Sequence, residues 1–115
     1  MRVRDLVELR PEGLYCPAGD FYIDPRQPVE TALVTHGHSD HAHPGMGMYL
    51  STEGSLPILR HRLGNEAVIR RAEFGEPVEL GDTRVSFHPA GHILGSAQVR
   101  IETDKTVWVV SGDYK

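Results

Sequence analysis

Residues Thr31-Ala32-Leu33-Val34-Thr35 form a short apolar, β-branched stretch that breaks off into His36-Gly37-His38-Ser39-Asp40-His41. The first half reads as a buried strand. The second half puts three imidazoles and a carboxylate within six residues. Such side chains pack poorly against one another, but imidazole nitrogen and carboxylate oxygen are good donors to zinc and similar metals. The fold must therefore end an interior strand where the polar run lies outside the core. His36 and His38 are two residues apart, which points both rings to one side of an extended or looping backbone. Asp40 and His41 follow where the chain turns, and they can face a second ion beside the first.

Two later segments repeat the pattern. Arg84 to His88 reads as a strand, and Pro89-Ala90-Gly91-His92 follows it with a glycine turn and a histidine. Thr106 to Val110 reads as another and ends in Ser111-Gly112-Asp113. Apolar strands that each deliver a donor at one end describe a metal site on the rim of a sheet. Further strands are predicted at Leu6 to Leu9, Gly13 to Tyr15, Asp20 to Asp24 and Ala97 to Glu102, with a hairpin turn at Thr103-Asp104-Lys105. Ala67 to Phe74 and Pro77 to Leu80 are extended candidates. Ser55 to Leu63 suits a helix ended by Gly64, and Gly45-Met46-Gly47-Met48 suits a flexible turn.

The 115 residues suffice for one modest domain, and 39% apolar with 24% charged content fits a globular chain. No apolar run approaches the roughly 20 residues of a membrane span, and no apolar segment of a signal peptide follows the N-terminus. A single cysteine, Cys16, cannot form an internal disulfide, so a cytoplasmic protein with no membrane association is expected. A net charge of −4 argues against nucleic-acid binding by bulk charge. It does not exclude a nuclease, because bound divalent ions dominate the local field where a phosphate sits.

The run His-x-His-x-Asp-His resembles the signature of the metallo-β-lactamase superfamily. Pro89 to Ala97 and Ser111-Gly112-Asp113-Tyr114 resemble the nuclease branch that carries a β-CASP insertion. Gly13 to Pro25 looks most like the bacterial ligase-associated DNA exonucleases. The resemblance implies an αββα sandwich of the α/β (α+β) class, here roughly its first half, with one sheet exposed where its partner should pack. It implies that His36, His38 and His92 hold one metal, Asp40 and His41 hold a second, and Asp113 bridges both. Asp40 and Asp113 would be the catalytic carboxylates. Asp24 would support the ligand loop from behind, although Asp20 lies close enough to compete. Two divalent ions are implied, zinc first and manganese second, activating a hydroxide for phosphodiester hydrolysis.

Members of that family continue past the bridging aspartate, whereas this sequence stops two residues beyond it. We therefore expect residues 1–115 to be the amino-terminal part of such a domain, cut before the β-CASP insertion and inactive alone. The implied substrate is nucleic acid, DNA ahead of RNA, with a DNA ligase or another repair protein as partner. Alternatives are an RNA-processing nuclease of the same branch, a glyoxalase II-like thioester or lactone hydrolase, and an inert binding fragment. Among the remaining residues, Cys16 reads as a buried thiol, His61 as solvated and His88 as structural. His43 reads as supporting the ligand run or exposed. Arg60, Arg62, Arg70 and Arg71 read as a surface face balanced by Glu66, Glu73 and Glu76, with phosphate contact as the alternative.

Overall fold

Short apolar and alternating stretches form ten strands among the described residues, which two sheets share. The computed structural model describes residues 7–35, 43–64, 66–89 and 97–111. The first sheet has the order β1 (Glu8–Arg10), β2 (Gly13–Cys16), β3 (Phe21–Ile23), β4 (Thr31–Leu33), β5 (Met48–Thr52), β6 (Ile69–Ala72). β1 to β3 run antiparallel, and β3 to β6 run parallel. The second sheet is an antiparallel meander of β7 (Val78–Leu80), β8 (Thr83–Pro89), β9 (Ala97–Glu102) and β10 (Val107–Ser111).

One core lies between the sheets. Cys16, Phe21, Ile23, Leu33, Leu50 and Ala72 of the first pack against Val78, Val85, Phe87, Val99 and Ile101 of the second. A smaller core covers the outer face of the first sheet, where Ala32, Val34 and Tyr49 meet Leu59 of helix α1 (Leu56–Leu63). β4 is thus buried on both faces, which is why its sequence is apolar without alternation. A 3-10 turn, Glu53–Ser55, leads into α1, and the Thr52 hydroxyl accepts from the Ser55 N–H at 3.3 Å. Gly64 stops the helix at φ +86°, where any other residue would be strained. Among the described residues no helix is long and apolar enough to cross a membrane.

Two main-chain hydrogen bonds fix how the sheets sit. The Gly75 N–H, just past β6, donates to the Phe87 carbonyl near the end of β8 at 2.8 Å. The Asp82 N–H, in the β7–β8 turn, donates to the Ala18 carbonyl in the β2–β3 turn, also at 2.8 Å. The carboxyl ends of β3, β4, β5 and β6 therefore share one rim with the carboxyl end of β8. β10 runs parallel to β8 across β9, with Pro89 opposite Ala97 and Ser111 opposite Gln98, so it ends at that rim too.

The structure corrects three expectations. Met48 belongs to β5, a central strand with no counterpart among the expected elements. β5 lacks a clear pattern because Ser51 and Thr52 are buried as hydrogen-bonded hydroxyls. Neither sheet awaits its partner, since their apolar faces already cover each other; among the described residues the large apolar side chains that remain exposed are Leu9, Ile58, Val68, Phe74 and, on edge strand β10, Val107 and Val109. Arg71 faces Glu53 at 3.9 Å, outside the expected balance of charges, and Arg60 donates to the Gly64 and Ala67 carbonyls, closing the helix end.

Candidate metal centre

The rim is organised around the exit of β4. The Val34 N–H still bonds the Leu50 carbonyl at 2.9 Å, and the Asp24 N–H bonds the Leu33 carbonyl at 2.8 Å. Thr35, fully buried, then turns both its donors onto one carboxylate. Its N–H reaches Asp24 Oδ1 at 2.9 Å, and its hydroxyl reaches Asp24 Oδ2 at 2.8 Å. Asp24 ends β3 at φ +49°, a left-handed conformation that Asp tolerates better than most residues. The carboxylate thereby fixes the residue that precedes His36.

Asp20 is placed otherwise. It lies in the β2–β3 turn at the opposite end of β3 and accepts from the Tyr15 hydroxyl at 2.7 Å. That bond, with some burial, pushes the Tyr15 hydroxyl pKa up. Tyr15 also stacks on Tyr22, centroids 4.6 Å apart, and carries the Arg10 guanidinium 4.2 Å above its ring.

Past segment 36–42 the chain is fixed again. The buried Tyr49 hydroxyl donates to the His43 carbonyl at 2.6 Å and accepts from the Met46 N–H at 3.4 Å. Burial pushes the Tyr49 pKa up, so the hydroxyl keeps the proton it donates. Neither Thr35 nor Tyr49 stood out in the sequence. Each serves a partner distant in sequence or a main-chain atom, and no local pattern marks that.

His36, His38, Asp40, His41, His92 and Asp113 lie outside the described residues. Segment 36–42 follows the exit of β4, segment 90–96 joins β8 to β9, and segment 112–115 follows β10. All three begin at described residues on the shared rim. Among the described residues, no three or more His, Cys, Asp or Glu side chains gather as a metal site would require. His88 pairs with Ser86, Nε2 to Oγ 2.9 Å, and His61 is exposed on α1. An open recess of about 420 Å³ lies at the same rim, lined by Thr52, Glu53, Gly54, Glu73 and Phe74. The donor set attached to the rim is imidazole and carboxylate, a chemistry that fits divalent zinc or manganese.

No family model matches the chain. Among solved structures, a diiron β-hydroxylase from Streptomyces venezuelae overlays 94% of this chain with a TM-score of 0.64 at 15% identity. A B3 metallo-β-lactamase with an active-site glutamic acid overlays 70% of it with a TM-score of 0.50 at 20% identity. The fold is the metallo-β-lactamase fold, in part. This chain spans 29% and 39% of the lengths of those two proteins. A curated relative, named a probable DNA ligase from Opitutus terrae, is 34% identical over 105 residues. That match takes in 90% of this chain and 10% of the relative. In this fold Thr35, Pro89 and Ser111, the last described residues before the three donor-bearing segments, stand at the shared rim.

Proposed function

We propose that this chain is the amino-terminal part of a metal-dependent phosphodiester hydrolase, a DNA exonuclease of the β-CASP branch that acts on ends in DNA repair. One observation carries the reading: three segments that carry His or Asp, the first with three His and one Asp and the others with one such residue each, begin at a single rim of the sandwich. The likeness in fold supports it. The stretch shared with a protein named a probable DNA ligase supports DNA as the substrate and a ligation step as the partner activity.

In this reading His36, His38, Asp40, His41, His92 and Asp113 would hold the divalent metal, His36, His38 and His92 as one group, Asp40 and His41 as another, with Asp113 shared between the two groups. Bound zinc or manganese would supply a Lewis acid and lower the pKa of an attacking water. Asp40 would also accept a hydrogen bond from that water and so orient it. Asp24 acts through Thr35, holding the start of the ligand segment against the end of β4. The net charge of −4 repels a polyanion, so charge supplied at the rim must reverse the sign locally.

Metal content of the purified chain, with and without His38→Ala, tests the metal claim. Bound zinc or manganese in the parent and a clear loss in the variant is the expected result. Equal, negligible metal in both refutes it. End-labelled DNA and RNA, offered to the natural protein that carries these residues, test the substrate claim. Cleavage of RNA in preference to DNA, or of thioesters alone, refutes that part.

A further inference from the structure

We infer that Tyr49 is a positioning residue for the metal centre, its buried hydroxyl pinning the exit of segment 36–42 as Asp24 pins its entry. The inference rests on the metal reading above. Tyr49 is only 2% exposed, and a phenol hydroxyl sunk that far costs free energy unless it is bonded. It is bonded, at 2.6 Å, to the carbonyl of His43, the first described residue after the segment.

The two anchors stand on either flank of the strand that feeds the segment. Asp24 follows β3, and Tyr49 lies on β5 directly opposite Ala32 of β4. The turn that returns the chain to β5 is tied down as well. The Met46 N–H donates to the Tyr49 hydroxyl oxygen, and Met46 Sδ accepts from the Val29 N–H at 3.3 Å. The Gly47 N–H bonds the Val29 carbonyl at 2.9 Å, and the Met48 N–H bonds the Glu30 carbonyl at 2.7 Å. Phenylalanine would fill the same space in the smaller core but leave the His43 carbonyl without this donor. Donors carried on a short segment keep their mutual spacing only if both ends are held, and groups that orient ligands from behind typically govern affinity about 10- to 100-fold.

The test compares Tyr49→Phe with Ser51→Ala. Ser51 supplies another buried hydroxyl on β5, bonded to the Thr52 carbonyl and remote from His43 in the hydrogen-bond network. Zinc affinity is read by competition with a chromophoric chelator, thermal unfolding on the metal-free proteins, and amide exchange over peptides spanning positions 36–46. Tyr49→Phe should weaken zinc binding about tenfold and speed exchange in those peptides. Ser51→Ala should leave both unchanged at a comparable shift in melting temperature. Unchanged zinc affinity in Tyr49→Phe overturns the positioning role and leaves the metal reading standing. Equal losses in both variants, or a Tyr49→Phe chain that no longer melts cooperatively, overturn it too, because the hydroxyl then serves the core as a whole. A parent chain that binds no zinc or manganese overturns the proposed function and this inference with it.

Discussion

Replacing Asp24 with alanine removes the acceptor for both donors of Thr35, and the structure sets the scale of the loss. Thr35 is fully buried, so its N–H and hydroxyl can meet water only through the gap that the carboxylate leaves. A hydrogen bond to a charged group contributes about 1.5–3 kcal/mol, and each donor left unmade in the interior costs about 1–3 kcal/mol. Alanine at φ +49° adds about 1 kcal/mol of backbone strain. Asp24 is itself only half-buried, and water reaching the gap recovers part of the sum. We expect a net loss of about 3–4 kcal/mol, which lowers the melting temperature by roughly 10–15 °C. Asp24→Asn keeps the backbone preference and one acceptor oxygen, and should cost about 1 kcal/mol. Thr35→Val removes only the hydroxyl and should cost about 1–2 kcal/mol. Urea unfolding of the two single variants Asp24→Ala and Thr35→Val, and of the double, closes a cycle. The double should cost at least about 1 kcal/mol less than the sum of the singles. Additive losses, or an Asp24→Ala cost below about 1 kcal/mol, would show that the fork at the exit of β4 is not what holds Thr35.

Further outcomes follow from other contacts. Tyr49 has a folded pKa raised by burial, so its contribution is complete below the unfolded value near 10 and is lost as pH rises through the folded value; the stability difference between the parent and Tyr49→Phe should shrink above pH 10 in urea titrations, and a difference independent of pH would count against it. Cys16 is buried and its thiol pKa is pushed up, so iodoacetamide at pH 8 should modify it only on unfolding; prompt stoichiometric labelling of the native chain would contradict that burial. Gly81→Ala places a Cβ 2.7 Å from the Ala18 carbonyl at φ +56°, against the bond that joins the sheets, and should cost about 2 kcal/mol or more by thermal melting. Phe87→Ala empties the centre of the main core and should cost about 3–5 kcal/mol, enough to leave little cooperative unfolding.

The parts of the fold written plainly in the sequence are those where one physical rule acts alone. The unbroken apolar run of β4 reports burial on both faces, Gly64 reports the helix stop, and Thr103 to Lys105 reports the hairpin between β9 and β10. β5 was illegible because its Ser51 and Thr52 sink into the interior only by virtue of bonds to the main chain around them. The pairing of the sheets was illegible because it depends on packing between residues as far apart as Phe21 and Ile101. At the site, residue type alone nominated the candidate ligands and could not separate Asp20 from Asp24. Their positions at opposite ends of β3 separate them in space, and the Thr35 donors attach to only one. The hydroxyl of Tyr49 left no trace in the sequence, since its partners are a carbonyl and an amide that every residue but proline carries.

The bonds from Gly75 to Phe87 and from Asp82 to Ala18 join backbone to backbone. Their strength is indifferent to which side chains the four residues carry, provided Gly75 and Gly81 can keep their left-handed turns. Side-chain changes at Ala18 or Asp82 therefore leave this tie between the layers in place, while the core between them still has to be filled. A tie of that kind asks little of the side chains, and the same fold is met at 15% and 20% identity in the two solved structures.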